Sequence, residues 1–152
     1  MNRREFLKHS AIASVSIRAT AARSASGDGN RRIRCGVLGL GHSHALDVVE
    51  VLGGSADFEL AGVCEPDQAI RSRVEDAAAL KGVRWLSQEA LLNDNRVTMV
   101  AVESAVPQLL EYAHDVINAG KHLHLDKPAG TSLPDFEALL EEAEERGCLV
   151  QM

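Results

Sequence analysis

The segment RCGVLGLGHSHALDVVEVL, residues 34 to 52, sets Gly39 and Gly41 behind a short apolar run and ahead of a helical pattern. A glycine at the first position permits the sharp turn out of a strand, and one at the second lets the backbone approach a diphosphate with no Cβ in the way. The following helix offers unpaired N–H groups and the positive end of its dipole, which hold an anion whatever the net charge of the chain. Leu40, His42 and Ser43 complete the candidate phosphate loop. His44 stands where the G-x-G-x-x-G spacing has its third glycine, whose usual task is close packing of helix on strand. The expectation is an altered loop and weaker pyrophosphate binding. Glu65 lies 24 residues beyond Gly41, at the end of a second apolar run. A carboxylate there accepts hydrogen bonds from the adenosine ribose hydroxyls and repels a 2′-phosphate, so NAD is favoured over NADP. The competing reading of Glu65 is a strand-end carboxylate that caps the next helix together with Asp67.

Two further groups carry reactive side chains. His42-Ser43-His44 and His122-Leu123-His124 are H-x-H pairs. On a strand this spacing places both rings on one face, a possible chelate, but the spacing supplies no carboxylate as a third ligand and no metal site is assigned. His44 could instead donate to a phosphate or a substrate hydroxyl from the helix start. Asp126-Lys127-Pro128 follows an apolar run, so Lys127 falls just past the carboxyl end of a strand, the edge where open α/β sheets bind their ligands. By position alone Lys127 reads equally as a surface loop lysine. The glutamates at 141, 142, 144 and 145 share a helical pattern with Phe136, Leu139, Leu140 and Ala143 and read as its solvated face.

These residues need strands and helices in alternation to bring them to one edge. The apolar runs are Ile33–Leu38, Phe58–Cys64, Val83–Leu86, Val97–Val102, His122–Leu125 and Leu149–Met152. Helical patterns lie between them: about Ser43 to Leu52, Asp67 to Leu80, Gln88 to Leu92, Pro107 to Ala119 and Leu133 to Arg146. Runs that are apolar throughout, separated by helices, predict a parallel sheet covered on both faces, a doubly wound three-layer α/β/α architecture. Pro107 suits a first helical turn, Gly120 a helix end, and Ser132 with Asp135 a capping pair.

The first 26 residues stand apart. Arg3-Arg4 followed by Phe6-Leu7-Lys8, the apolar stretch Ala11–Ile17 and the small tripeptide Ala19-Thr20-Ala21 resemble a bacterial twin-arginine export signal. That implies a periplasmic or exported location, with a basic N-terminus of a cytoplasmic protein as the alternative. Residues 27–31 read as a linker. From Gly27 onward there are 11 Lys and Arg against 21 Asp and Glu. That balance excludes a nucleic-acid partner, which needs basic patches to replace counterions, and an anionic membrane surface. No run is long enough to span a bilayer after signal removal. Aromatics are 3% of the chain, so the core must be aliphatic. Cys35, Cys64 and Cys148 are odd in number and lie in or beside apolar runs, where they act as small core residues.

The stretch INAGKHLHLDKPAG, residues 117 to 130, joins GVLGLG, ELAGVCEPD and the N-terminal segment in a pattern that resembles the Gfo/Idh/MocA oxidoreductases. The resemblance spans about residues 32 to 152. It implies an NAD(P)-binding Rossmann domain, with substrate contacts supplied by a second α/β domain that is absent from these residues. It implies hydride transfer between a nicotinamide cofactor and a sugar, polyol or related hydroxyl compound, and a possible homo-oligomer. Lys127 matches the lysine of the family's E-K-P motif and is the implied catalytic residue, near the nicotinamide. Asp126 replaces the glutamate of that motif. Ser104, Ala105, Val106 and Leu109 occupy the positions of the family's T-P-N-x-x-H, so that cofactor-facing loop is altered. The resulting cofactor set is Gly39, Leu40, Gly41, His42, Ser43, His44, Glu65, Ser104, Asp126 and Lys127. The expectation is weak dinucleotide binding without turnover at this length; the alternative is a non-catalytic nucleotide- or sugar-binding module.

Overall fold

Burial on both faces makes the strands read as unbroken apolar runs, and the computed structural model, which describes residues 32–152, pairs them in parallel. The expected export segment 1–26 and linker 27–31 lie outside the described residues. Five strands, β1 (Ile33–Leu38), β2 (Phe58–Cys64), β3 (Met99–Val102), β4 (His122–Leu125) and β5 (Val150–Gln151), form one sheet in the order β2-β1-β3-β4-β5. Five helices, α1 (Ala45–Gly54), α2 (Gln68–Val74), α3 (Gln88–Leu92), α4 (Leu109–Asn118) and α5 (Leu133–Arg146), complete the Rossmann-type α/β fold. The chain leaves β1 toward β2 on one side and returns as β3 on the other, so a topological switch point opens beside the carboxyl end of β1.

Alternation along each strand sorts the core into two layers. Cys35, Val37, Val63 and Ala101 face α1, through its Ala45, Val49 and Leu52. Leu38, Val100, Val102, Leu123 and Leu125 face the opposite layer, with Leu91 of α3, Leu109, Ala113, Val116 and Ile117 of α4 and Leu139 of α5. A bulge in β2 shifts the register from Cys35↔Leu60 to Gly36↔Gly62. That extra residue keeps both Leu60 and Val63 in the α1 layer.

Three expected elements take a different form. The run Val83–Leu86 makes a single bridge, Val63↔Trp85, instead of a strand. Only Val63 donates to and accepts from it, through Arg84 O and Leu86 N, and Gly62 beside it has room for no Cβ: one would stand 2.4 Å from Arg84 O. The helix expected from Asp67 to Leu80 stops at Val74 and resumes as a 3₁₀ turn at Ala78–Leu80. Pro107 starts a 3₁₀ turn, Val106–Gln108, before α4 begins at Leu109. In α5 the Ser132 hydroxyl caps Asp135 N at 3.4 Å and Gly147 (φ 66°) ends the helix, but Leu140 is exposed, so the apolar stripe is narrower than expected.

Candidate functional site at the carboxyl edge of the sheet

Strand register lines up the chemistry. Leu38 pairs with Cys64 and with Val102, and Val102 pairs with Leu125. The residues that follow, Gly39, Glu65, Glu103 and Asp126, therefore stand in a row along one edge. Gly39 adopts φ +82°, and a Cβ on it would sit 2.7–2.8 Å from Ser104 Cβ, Cα and N. Its N–H donates to Cys64 O at 2.8 Å. Gly41 is required by space instead: a Cβ would meet Ala105 N at 2.9 Å. Both glycines thus let the β1 loop lie flat on the β3 loop.

Glu65 is buried and its two oxygens are held by backbone amides. Leu40 N donates to one at 2.5 Å and Asp67 N to the other at 2.8 Å. Asp67, not Glu65, caps α2, accepting from Ala69 N and Ile70 N. Glu65 is therefore a clamp between the β1 loop and the end of β2, with acceptor lone pairs left over. It opens onto a cavity of about 290 Å³ lined by Glu65, Asp67, Ile70, Ser104, Ala105, Gln108 and Tyr112. The cavity brings together two expected cofactor residues, Glu65 and Ser104, and adds Tyr112, which sequence reasoning missed. Tyr112 lies in α4 and reaches the edge only through the packing of that helix.

His42, Ser43 and His44 form the turn before α1, which starts at Ala45, two residues later than expected. His44 is the N-cap residue, and its half-exposed ring turns toward Asp126, with Nδ1 3.5 Å from Asp126 Oδ2. Fully buried Ala45 takes up the helix-on-strand packing, so the missing third glycine leaves α1 seated. His42 Nδ1 also contacts Asp126 Oδ2, and its backbone N–H donates to Glu103 O at 2.9 Å. The absence of a third ligand, as spacing alone has it, is corrected here: the end of β4 carries Asp126 across β3 to both histidines, and their donor atoms lie within 4.8 Å of one another. His122 and His124 go elsewhere. His122 Nδ1 accepts from Leu149 N at 3.1 Å, and His124 contacts Gln151.

Glu103 is the residue that sequence reasoning passed over. It is fully buried behind Asp126, with neither carboxyl oxygen hydrogen-bonded, and His124 Nε2 lies 3.6 Å away. Burial, then the neighbouring charge of Asp126, pushes its acid up to about 8. At neutral pH it holds its proton. Burial also works against a charge on Asp126, but the amide of Lys127, the Glu103 acid and the two histidines outweigh it and hold that carboxyl below its ordinary range. The available signal was its place: Glu103 follows β3 as Glu65 follows β2. Lys127 is exposed at the same edge, and its backbone N–H fixes Asp126 Oδ1 at 2.7 Å. Buried Lys121, by contrast, is structural; its ammonium donates to Asp94 O and Val97 O, and burial lowers its pKa.

The family model for the oxidoreductase family with an NAD-binding Rossmann fold, GFO_IDH_MocA, matches residues 33–152. A curated relative, dehydrogenase aclE of Aspergillus oryzae, is 29% identical over 128 residues, covering 77% of this chain and 34% of its own length. The biliverdin reductase of Synechocystis sp. PCC 6803, solved with biliverdin and NADP⁺, superposes with a TM-score of 0.67 at 27% identity, covering 78% of this chain and 37% of that one. GenD2 from gentamicin A biosynthesis, solved with NAD, shares the fold with a TM-score of 0.69 at 24% identity, over 82% of this chain and 35% of that one. The chain thus spans about a third of the length of the relatives it matches. A loop of Gly39 and Gly41 against Ser104, an acid closing β2 and a match over every strand lead to one assignment: the chain belongs to the Gfo/Idh/MocA oxidoreductase family and carries its NAD-binding Rossmann fold.

Proposed function

We propose that the chain binds NAD in preference to NADP across this edge and forms the nucleotide half of an oxidoreductase acting on a sugar, polyol or related hydroxyl compound. The observation that carries the reading is the shared cavity of Glu65 and Ser104 beside the Gly39–Gly41 loop. Its volume suits a ribose and part of a base, and Ile70 and Tyr112 give it apolar walls. Glu65 would accept from the ribose hydroxyls and repel a 2′-phosphate. The loop amides ahead of α1 would face the diphosphate. Bound NAD supplies the hydride acceptor. The Lys127 ammonium would hydrogen-bond the reacting hydroxyl and stabilise negative charge on its oxygen as hydride leaves carbon.

Hydride transfer needs the substrate held with tight tolerance. We infer that residues 1–152 alone bind dinucleotide without turnover, and that a substrate domain of the family type completes the site. The arginine pair near the N-terminus favours twin-arginine export, which would carry the folded, nucleotide-loaded protein to the periplasm. Titration calorimetry with NAD and NADP is the direct test. NAD should bind more tightly, and Glu65→Gln should weaken NAD and narrow the preference. No heat with either nucleotide at millimolar concentration refutes the proposal.

A further inference from the structure

We propose that His42, His44 and Asp126 form a binding site for one divalent transition-metal ion, with one ring nitrogen of each histidine and a carboxylate oxygen of Asp126 as ligands. The three donor atoms lie within 4.8 Å of one another and come from two loops 82 residues apart in the chain. Two imidazoles and one carboxylate make the ligand set of open metal sites, which leave at least one position for water or a substrate oxygen. Around one tetrahedral ion such donors stand about 3.3 Å apart; His44 Nδ1 lies 3.5 Å from Asp126 Oδ2, and the His42 ring, closer to that oxygen, would draw back to admit an ion.

A second observation points to the same ligand. Asp126 is nine-tenths buried, and its Oδ2 has no hydrogen-bond partner although two ring nitrogens lie beside it. The ring nitrogens lie beside Oδ2 without the geometry of a hydrogen-bonded histidine–carboxylate pair. The other oxygen, Oδ1, is pinned by Lys127 N at 2.7 Å, which aims Oδ2 at the histidines. Outer-sphere bonds of this kind orient metal ligands.

The site does not depend on dinucleotide binding, so the test uses metal alone. The untagged chain is stripped with chelator, dialysed and titrated with Zn²⁺ by calorimetry; Co²⁺ is then added and its visible absorption recorded. One Zn²⁺ per chain should bind, and Co²⁺ should give the spectrum of a low-coordinate nitrogen–oxygen site. Losing an outer-sphere partner weakens metal affinity 10–100-fold, so His44→Ala and Asp126→Asn, each removing a ligand, should weaken it by about 100-fold or more. His114→Ala, whose ring pairs with Glu142 of α5, should leave it unchanged. Circular dichroism checks each fold; His44 is half exposed, so its variant stays interpretable even if Asp126→Asn unfolds. Absence of saturable Zn²⁺ binding, or full affinity in His44→Ala, overturns the assignment.

Discussion

The two halves of the carboxyl edge solve the same problem with different means. On the β2 side, Glu65 is an acid whose oxygens are met by backbone amides, and its cavity is lined by Ile70, Ala105 and Tyr112 as well as polar groups. On the β4 side, Asp126 and Glu103 are buried together, and beyond the Lys127 amide on Asp126 Oδ1 the neighbouring partners are histidine rings. Backbone amides carry no titratable proton, so the partners that hold the first half do not change state with pH. The second half is built of groups that trade protons, and its state depends on pH and on any cation present.

The largest effect should come from the seam that both halves share. Gly39→Ala puts a Cβ against the Ser104 backbone at a φ of +82°. A loss of about 3 kcal/mol or more in urea unfolding is expected, with nucleotide binding lost as well. Wild-type stability within about 1 kcal/mol would mean that the loops do not meet as described.

On the β4 side the expected effect is a pH profile. Glu103 has an ordinary value near 4.5 and stands at about 8 in the fold. The native state therefore binds the extra proton. The associated stability is fully present below about 4.5 and is lost as pH rises toward 8. Melting temperature in chelator-treated protein should fall across that window by several degrees, an effect of a few kcal/mol. Glu103→Gln should flatten the profile. A mutant that keeps the wild-type slope shows that another group is responsible.

The amide-held half predicts a smaller change. Glu65→Gln keeps one acceptor and weakens two charge-assisted bonds, so a loss of about 1–2 kcal/mol in urea unfolding is expected. No loss of stability would mean that the two amide bonds do not hold the loop as described. Smallest in energy is a reactivity test of the sheet below them. Burial pushes the Cys35 and Cys64 thiols up to about 11, whereas Cys148 is only half-buried. An aromatic disulfide reagent at pH 8 should modify Cys148 first and leave the other two protected until the chain unfolds.

Local pattern was enough to find the strands that carry the edge. β1, β2 and β4 have the bounds that their apolar runs indicate, because burial on both faces leaves no polar position to confuse the reading. The loop glycines and Glu65 were legible for the same reason: they follow strands at fixed offsets. Val83–Leu86 was not, since a short apolar run does not tell how far a neighbouring strand will pair with it, and here the segment meets β2 through the Val63↔Trp85 bridge alone. Ser43–Leu52 was legible as a helix but not its start, which the His42–Asp126 and His44–Asp126 contacts set from across the sheet.

Sequence by itself determined the alternation of strand and helix, the glycine turn after β1 and the acid after β2, because periodicity and turn chemistry act over a few residues. Only tertiary structure decided that Asp126 would meet His42 and His44, that Glu103 would be sealed beneath them and that Tyr112 would wall the Glu65 cavity. Those neighbours are separated by tens of residues, and their meeting depends on strand order and register. Neither is written in any local stretch of the chain; both follow from burying all the apolar runs at once.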